Sequence, residues 1–195
     1  MVTTDIVKQL REETGVSVMQ CKKALEEAGG DVGKARVILS KKGAEAAAKK
    51  ADRNLGAGRI AAYVHGVGTV GSMIELASET DFVSKHPDFY TLAYEIAMQI
   101  AATNPTFIKK EDVVEADRAK AREVFVEEAK DKPEAMREKI VTGKLDAYFK
   151  DKILLEQSFI KNPDITIKAL IESAIQKFGE KIEIVRFVRY GVGQK

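Results

Sequence analysis

At 195 residues the chain is sized for one or two domains and can withdraw roughly 70% of its unfolded surface from water. Its 32 Lys+Arg against 30 Asp+Glu leave a net charge of +2, which argues against a phosphate-coating nucleic-acid protein, and a single cysteine, Cys21, excludes an intrachain disulfide or a multi-thiolate metal site. No apolar stretch approaches the ~20 residues of a membrane span, and the opening Met1-Val2-Thr3-Thr4-Asp5 lacks the basic and apolar regions of a secretory leader, so the expectation is a cytoplasmic protein with no membrane partner.

Residues 1–52 read as short helices separated by glycine. Thr3 or Thr4 can cap the first, Ile6, Val7 and Leu10 share one face, and Gly15 ends it. Ser17 can cap the second, in which Val18, Cys21, Leu25 and Ala28 make a stripe. Gly29-Gly30-Asp31 reads as a stop and a new cap. Val32, Ala35, Ile38 and Leu39 form the third, Gly43 is expected to end it, and Ala44–Ala51 reads as a separate helical connector. The prediction is a three-helix N-terminal bundle.

Residues 54–80 change character. Arg59–His65 and Val70–Ser78 are β-like runs, and Gly66-Val67-Gly68 between them predicts a hairpin. Helix returns at Pro87, with an apolar face of Phe89, Leu92, Ala93, Ile96, Ala97 and Ile100, and Asn104-Pro105 closes it. Residues 111–130 and 134–155 are charged and helical, split at Lys132-Pro133. Val124, Phe125, Ile140, Leu145, Tyr148 and Phe149 are placed to zip them into an antiparallel hairpin. Lys161-Asn162-Pro163-Asp164 reads as a turn and Thr166–Phe178 as a helix. Lys181–Tyr190 reads as a strand whose alternation slips at Ile184-Val185 and again at Phe187-Val188, the mark of a bulge or of cover on both faces. The fold class is α+β: the helical bundle of residues 1–52, then a 53–195 body with a three-stranded antiparallel sheet, helices on one side, and a hairpin at about 111–155.

Enzyme chemistry is not found. His65 and His86 have no ligand spacing, and the sequence contains no G-x-S-x-G, H-E-x-x-H or Walker A pattern. Gly56-x-Gly58-x-x-Ala61 matches a loose dinucleotide fingerprint, but a helix precedes it and a strand follows, the reverse of what that fingerprint needs. Cys21 lies on an apolar stripe and reads as a structural thiol. No cofactor is expected. Two features stand apart. Met19 projects off the stripe among Lys22, Lys23 and Glu26, which fits either a contact surface or a single exposed apolar residue. Thr80-Asp81-Phe82-Val83 follows a strand end; Thr80 or Asp81 can cap a short helix, and Phe82 either returns to the core or faces a partner.

Leu10-Arg11-Glu12-Glu13-Thr14-Gly15 with Met19-Gln20-Cys21-Lys22-Lys23-Ala24-Leu25, then Thr80-Asp81-Phe82-Val83, then Leu154-Leu155-Glu156-Gln157-Ser158-Phe159-Ile160-Lys161 resemble, in order, three motifs of the translation elongation factor Ts family. Ser17 and Gln20 stand where that family more usually has Gly and Asp, and Ser158 where proline is common. The resemblance covers nearly the whole chain and is to the family's short form. It implies a guanine nucleotide exchange factor for the GTPase elongation factor Tu, with no bond-breaking chemistry of its own. It also implies docking of the N-terminal bundle on the nucleotide-binding domain through Arg11, Met19 and Lys22, with a further contact at Lys50. Thr80, Asp81, Phe82 and Val83 would enter that domain near its Mg²⁺ site. The short form further implies a homodimer through the sheet, for which the terminal strand offers Ile182, Ile184, Val185, Phe187 and Val188. Two other readings compete: an adaptor whose bundle resembles ubiquitin-associated domains, which leaves the second and third motifs unexplained, and an RNA-binding hairpin, against which the near-neutral charge speaks.

Overall fold

The computed structural model describes residues 2–194. Its N-terminal helices start where short polar side chains can replace missing intrahelical acceptors. The Thr3 hydroxyl accepts from the Ile6 N–H ahead of α1 (Thr4–Thr14), and Gly15 closes that helix at φ 69°. Ser17 accepts from the Gln20 N–H ahead of α2 (Val18–Glu27), so the serine found in place of the usual glycine contributes a cap of its own. Asp31 accepts from the Lys34 N–H ahead of α3 (Val32–Ala48). Val7, Leu10, Val16, Cys21, Ala24, Leu25, Ala35 and Leu39 bury together as one small core. Val18 is not part of it: at the first helical position it lies at the bundle's rim, 54% exposed, and Cys21, Ala24 and Leu25 carry the stripe instead. The Cys21 thiol is fully enclosed, donates to the Val16 carbonyl at 3.6 Å, and burial pushes its pKa up.

Gly43 does not end α3. The helix runs through it to Ala48, because the glycine is buried where another helix passes: a Cβ there would stand 3.3 Å from the Glu172 carbonyl oxygen. That neighbour is α8 (Ile167–Phe178), capped by Thr166, whose hydroxyl accepts from the Ala169 N–H. The expected connector is therefore the second half of one helix, and its Ala46 and Ala47 pack on the main core of the body.

The body is built on the antiparallel sheet β1-β2-β5, with β1 (Ala57–His65) and β2 (Val70–Ser78) joined by the glycine hairpin and β5 (Ile182–Gly191) on the other edge of β2. Gly66 and Gly68 take φ of 53° and 88°, which the turn requires. The register shifts at Val185, an extra residue between the Glu75–Arg186 and Leu76–Ile184 pairs. This is the bulge expected from the first phase slip. The second slip produces none, and Phe187 and Val188 pair in sequence with Ile74 and Met73. One face of the sheet is covered by α5 (Pro87–Thr103), which buries all six residues of its expected apolar face and ends at Asn104 in the left-handed conformation. Ser72 donates across this contact to the Ala97 carbonyl at 2.5 Å.

α6 (Glu115–Glu128) and α7 (Glu134–Lys152) form the hairpin. Arg122–Glu138 and Lys144–Glu128 ion pairs and an edge-on Phe125–Tyr148 contact join them. Val124 points outward, whereas Phe149, as expected, and Val141, which was not among the expected residues, are buried. The turn expected at Lys161-Asn162-Pro163-Asp164 is shorter and earlier: Ile160-Lys161 turn, and Asn162-Pro163-Asp164 belong to β4 (Asn162–Thr166), paired with β3 (Ser158–Phe159). Proline is tolerated there because the piece is a two-stranded edge. A buried amide network ties this piece and the hairpin base to α5: Gln99 donates to the Gln157 side chain at 3.0 Å, accepts from the Ile160 N–H at 2.9 Å, and Gln157 donates to the Asp151 carbonyl.

Candidate functional site

Strand β2 runs into Glu79 and Thr80, and a single helical turn, α4 (Asp81–Ser84), follows. The four residues of the expected segment face different ways. Val83 is 4% exposed and sits in the main core with Leu76 and Phe89. Phe82 is 82% exposed. Of the two readings of Phe82, return to the core is therefore overturned in this chain: Val83 is the residue that turns inward, and the ring is pushed out by it. Such a ring in water forgoes roughly 1.5–3 kcal/mol of burial energy.

Asp81 is fully exposed, accepts from the Lys85 ammonium at 2.5 Å, and that hydrogen bond holds its carboxyl below the ordinary aspartate range. Thr80 occupies the N-cap position, but its hydroxyl does not cap α4. It is turned away to donate to the Glu180 carboxylate at 2.6 Å. The neighbouring Glu79 carboxyl is held below the usual glutamate range, first by the Lys181 N–H and then by Arg53 and the charge of Lys50. Lys50, in the turn that follows α3, is thus electrostatically close to the segment after β2.

The other expected contact residues lie on the bundle. Arg11 is exposed in the last turn of α1, and Met19 is 63% exposed in the first turn of α2. Lys22, one turn beyond Met19, makes only a loose 3.8 Å pair with Glu26. The side chains beneath them, Leu10 and Cys21, are fully buried, so a small closed core carries an apolar and cationic outer surface. The structure thus provides two surfaces: the outside of α1–α2, and the α4 turn with Lys50 near its base. Among the described residues no cluster of His, Cys, Asp or Glu is placed to hold a metal.

The sequence profile of the family described as Elongation factor TS matches residues 2–194. The chain belongs to the elongation factor Ts family. The Elongation factor Ts of Carboxydothermus hydrogenoformans is 50% identical over all of this chain and 90% of its own length. Those of Heliobacterium modesticaldum and Thermodesulfovibrio yellowstonii are 45% and 48% identical, over 91% and 97% of their own lengths. Membership in the elongation factor Ts family makes the chain a nucleotide exchange factor acting on elongation factor Tu in translation elongation. Sequence reasoning missed Glu180 and Lys181, the partners of the α4 approach. They stand about a hundred positions away, and no local pattern links them to Thr80.

Proposed function

We propose that this chain drives GDP release from elongation factor Tu with its two surfaces acting in turn. Arg11, Met19, Lys22 and Lys50 dock on the nucleotide-binding domain of the GTPase. Phe82 then enters a pocket that exists only in the conformation with a disturbed Mg²⁺ and phosphate site. The observation that carries this is the solvent-exposed Phe82 ring on a turn anchored by buried Val83. A GTPase holds GDP through a phosphate-binding loop and Mg²⁺, so a partner speeds release by binding better to the state that holds them poorly. The coupling is reciprocal: GDP weakens the factor's binding by the ratio in which the factor weakens GDP's. Thr80 and Asp81 shape the approach and Val83 anchors it. No bond is made or broken in this scheme, and it needs neither a cofactor of the factor's own nor direct contact with nucleic acid. No helix among the described residues is long and apolar enough to cross a membrane, and a factor that acts on elongation factor Tu would meet it in the cytoplasm. The test is release of fluorescent GDP from elongation factor Tu with and without this protein. Acceleration lost on removal of the Phe82 ring supports the scheme, and unchanged acceleration sinks it.

The same reading includes a homodimer formed through the sheet. The face away from α5 exposes Ile60, Val64, Met73, Val188 and Tyr190, an apolar surface on adjacent strands. Of the residues first considered on β5, Ile182 and Ile184 are 3% and 4% exposed and belong to the subunit's own core, and Phe187 packs against that core. Val185 and Val188 remain for the interface. Two such faces related by a two-fold axis would stack as a second layer. Light scattering at micromolar concentration decides it; a mass of one chain with full exchange activity rules the dimer out.

A further inference from the structure

The α4 turn is one turn long, and its N-cap residue gives it no side-chain bond. Its local side-chain bonds are the Ser84 hydroxyl to the Asp81 carbonyl at 3.2 Å, the exposed Asp81–Lys85 pair, and the Ser78 hydroxyl to the Thr80 carbonyl at 3.0 Å, none of which engages the donors of Thr80. Long-range support comes from the loop between α8 and β5. The Glu180 carboxylate accepts from Thr80 twice, from the backbone N–H at 3.0 Å and from the hydroxyl at 2.6 Å. One residue along on each segment the direction reverses, and the Lys181 N–H donates to the Glu79 carboxylate at 2.5 Å. Glu79 also receives the Arg53 guanidinium at 3.1 and 3.2 Å, and the Lys181 ammonium donates to the carbonyls of Ala51 and Arg53 at 2.7 and 3.3 Å. Three distant stretches, 51–53, 79–80 and 180–181, are thereby tied at one point, directly after Lys50 and directly before Asp81.

This clasp is solvent-accessible. Thr80 and Arg53 are exposed, and Glu79 and Glu180 are half-buried. Ion pairs and hydrogen bonds in such a setting add little to global stability, whereas a carboxylate accepting two bonds from one residue fixes that residue's direction. We propose that Glu180 is a positioning residue for nucleotide exchange: by holding both donors of Thr80 it sets the direction in which α4 presents Phe82. The inference rests on the reading of Phe82 as the inserted ring. A turn already held in its binding direction is not ordered at the moment of insertion, so the barrier to GDP release is lower. The bundle surface docks regardless of the turn. Loss of the clasp therefore shows in the maximal release rate and not in the concentration of factor that half-saturates it.

The experiment is fluorescent-GDP release from elongation factor Tu against the concentration of the full-length factor, for wild type, Glu180→Ala, Glu180→Gln, Phe82→Ala and the Glu180→Ala/Phe82→Ala double variant. Glu180→Ala should lower the maximal rate roughly five- to tenfold, the scale of ordering one or two side chains, with little change in half-saturation. Glu180→Gln, which keeps one acceptor oxygen, should recover part of the rate. The double variant should be no slower than Phe82→Ala alone. Amide exchange should show Thr80 deprotected in Glu180→Ala while α5 stays protected, which separates a freed turn from an unfolded body. A wild-type maximal rate in Glu180→Ala, a further loss in the double variant, or deprotection spreading through α5 overturns the positioning role. A wild-type rate in Phe82→Ala overturns the reading beneath it, and the proposal with it.

Discussion

The bundle surface and the α4 turn are both exposed, yet they are supported by opposite means. Met19 and Lys22 ride on helices whose inner face is closed by eight buried residues contributed from within positions 7–39. Phe82 rides on one turn supported by two buried neighbours, Val83 and Ser84, and by polar partners from residues 180–181. A surface carried by local packing tolerates change in its outer residues and fails when its core is opened. A surface carried by long-range polar contacts can lose its geometry while the fold survives. In the proposed scheme the first surface docks and the second displaces, so the difference separates the two steps.

The comparison is broken most directly at Phe82. Phe82→Ala should leave the melting temperature unchanged and weaken the exchange-active complex by roughly 2–4 kcal/mol, the scale of a buried aromatic anchor. Paired thermal melts and GDP-release rates measure both. A variant that melts well below wild type would assign the ring to the protein's own core. Next comes the bundle. Leu25→Ala removes a fully buried side chain and should cost on the order of 2–5 kcal/mol of stability, whereas Met19→Ala should weaken the complex and leave denaturant unfolding where it was. Equal destabilisation by the two would show that the outer and inner faces of α2 are misassigned.

The two regions meet along α3, and Gly43→Leu probes that meeting. The new side chain has to displace the Glu172 backbone, so a loss of roughly 1–3 kcal/mol is expected, seen as a lower unfolding midpoint in urea. An unchanged midpoint would mean that α3 and α8 separate freely. The smallest effect is electrostatic. The Glu79 carboxyl is held below its ordinary range in the folded protein. The unfolded chain therefore takes up a proton first as pH falls. The stabilisation is complete above the ordinary glutamate range and is lost as pH falls through the lowered folded value. Melting curves of wild type and Glu79→Gln should differ slightly at pH 6 and converge towards pH 3. A gap that widened on acidification would reverse the sign and remove Glu79 from the clasp.

Local chemistry was legible in the sequence and long-range packing was not. Thr3, Ser17 and Asp31 each form the cap their positions imply, because a cap involves only the next three residues. The first phase slip in the terminal strand marked the bulge at Val185, since alternation is itself a local record of which face is covered. Gly43 misled because glycine serves equally as a stop and as a place of close approach, and the helix that approaches it lies near residue 172. Asn162-Pro163-Asp164 misled for a related reason: turn residues also occur on a short unprotected strand edge. Phe82 could not be separated from Val83 by spacing, as adjacent residues at the start of a helix differ by about 100° in direction and either could have faced inward. Motif resemblance singled out the segment; only the fold decided which of its residues faces solvent.

Cys21 gives the molecule an internal clock. Its thiol is wholly enclosed, it is bonded to the Val16 carbonyl, and it is the chain's only cysteine. A thiol reagent can therefore react only while the bundle is open, and the reaction rate counts openings of that region alone. If modification of Cys21 runs much faster than the loss of amide protection in α5, the N-terminal helices breathe independently of the sheet. If elongation factor Tu slows modification, docking spends part of its binding energy on keeping the bundle shut. One buried sulfur thus allows the opening of the N-terminal bundle to be timed without altering the α4 turn.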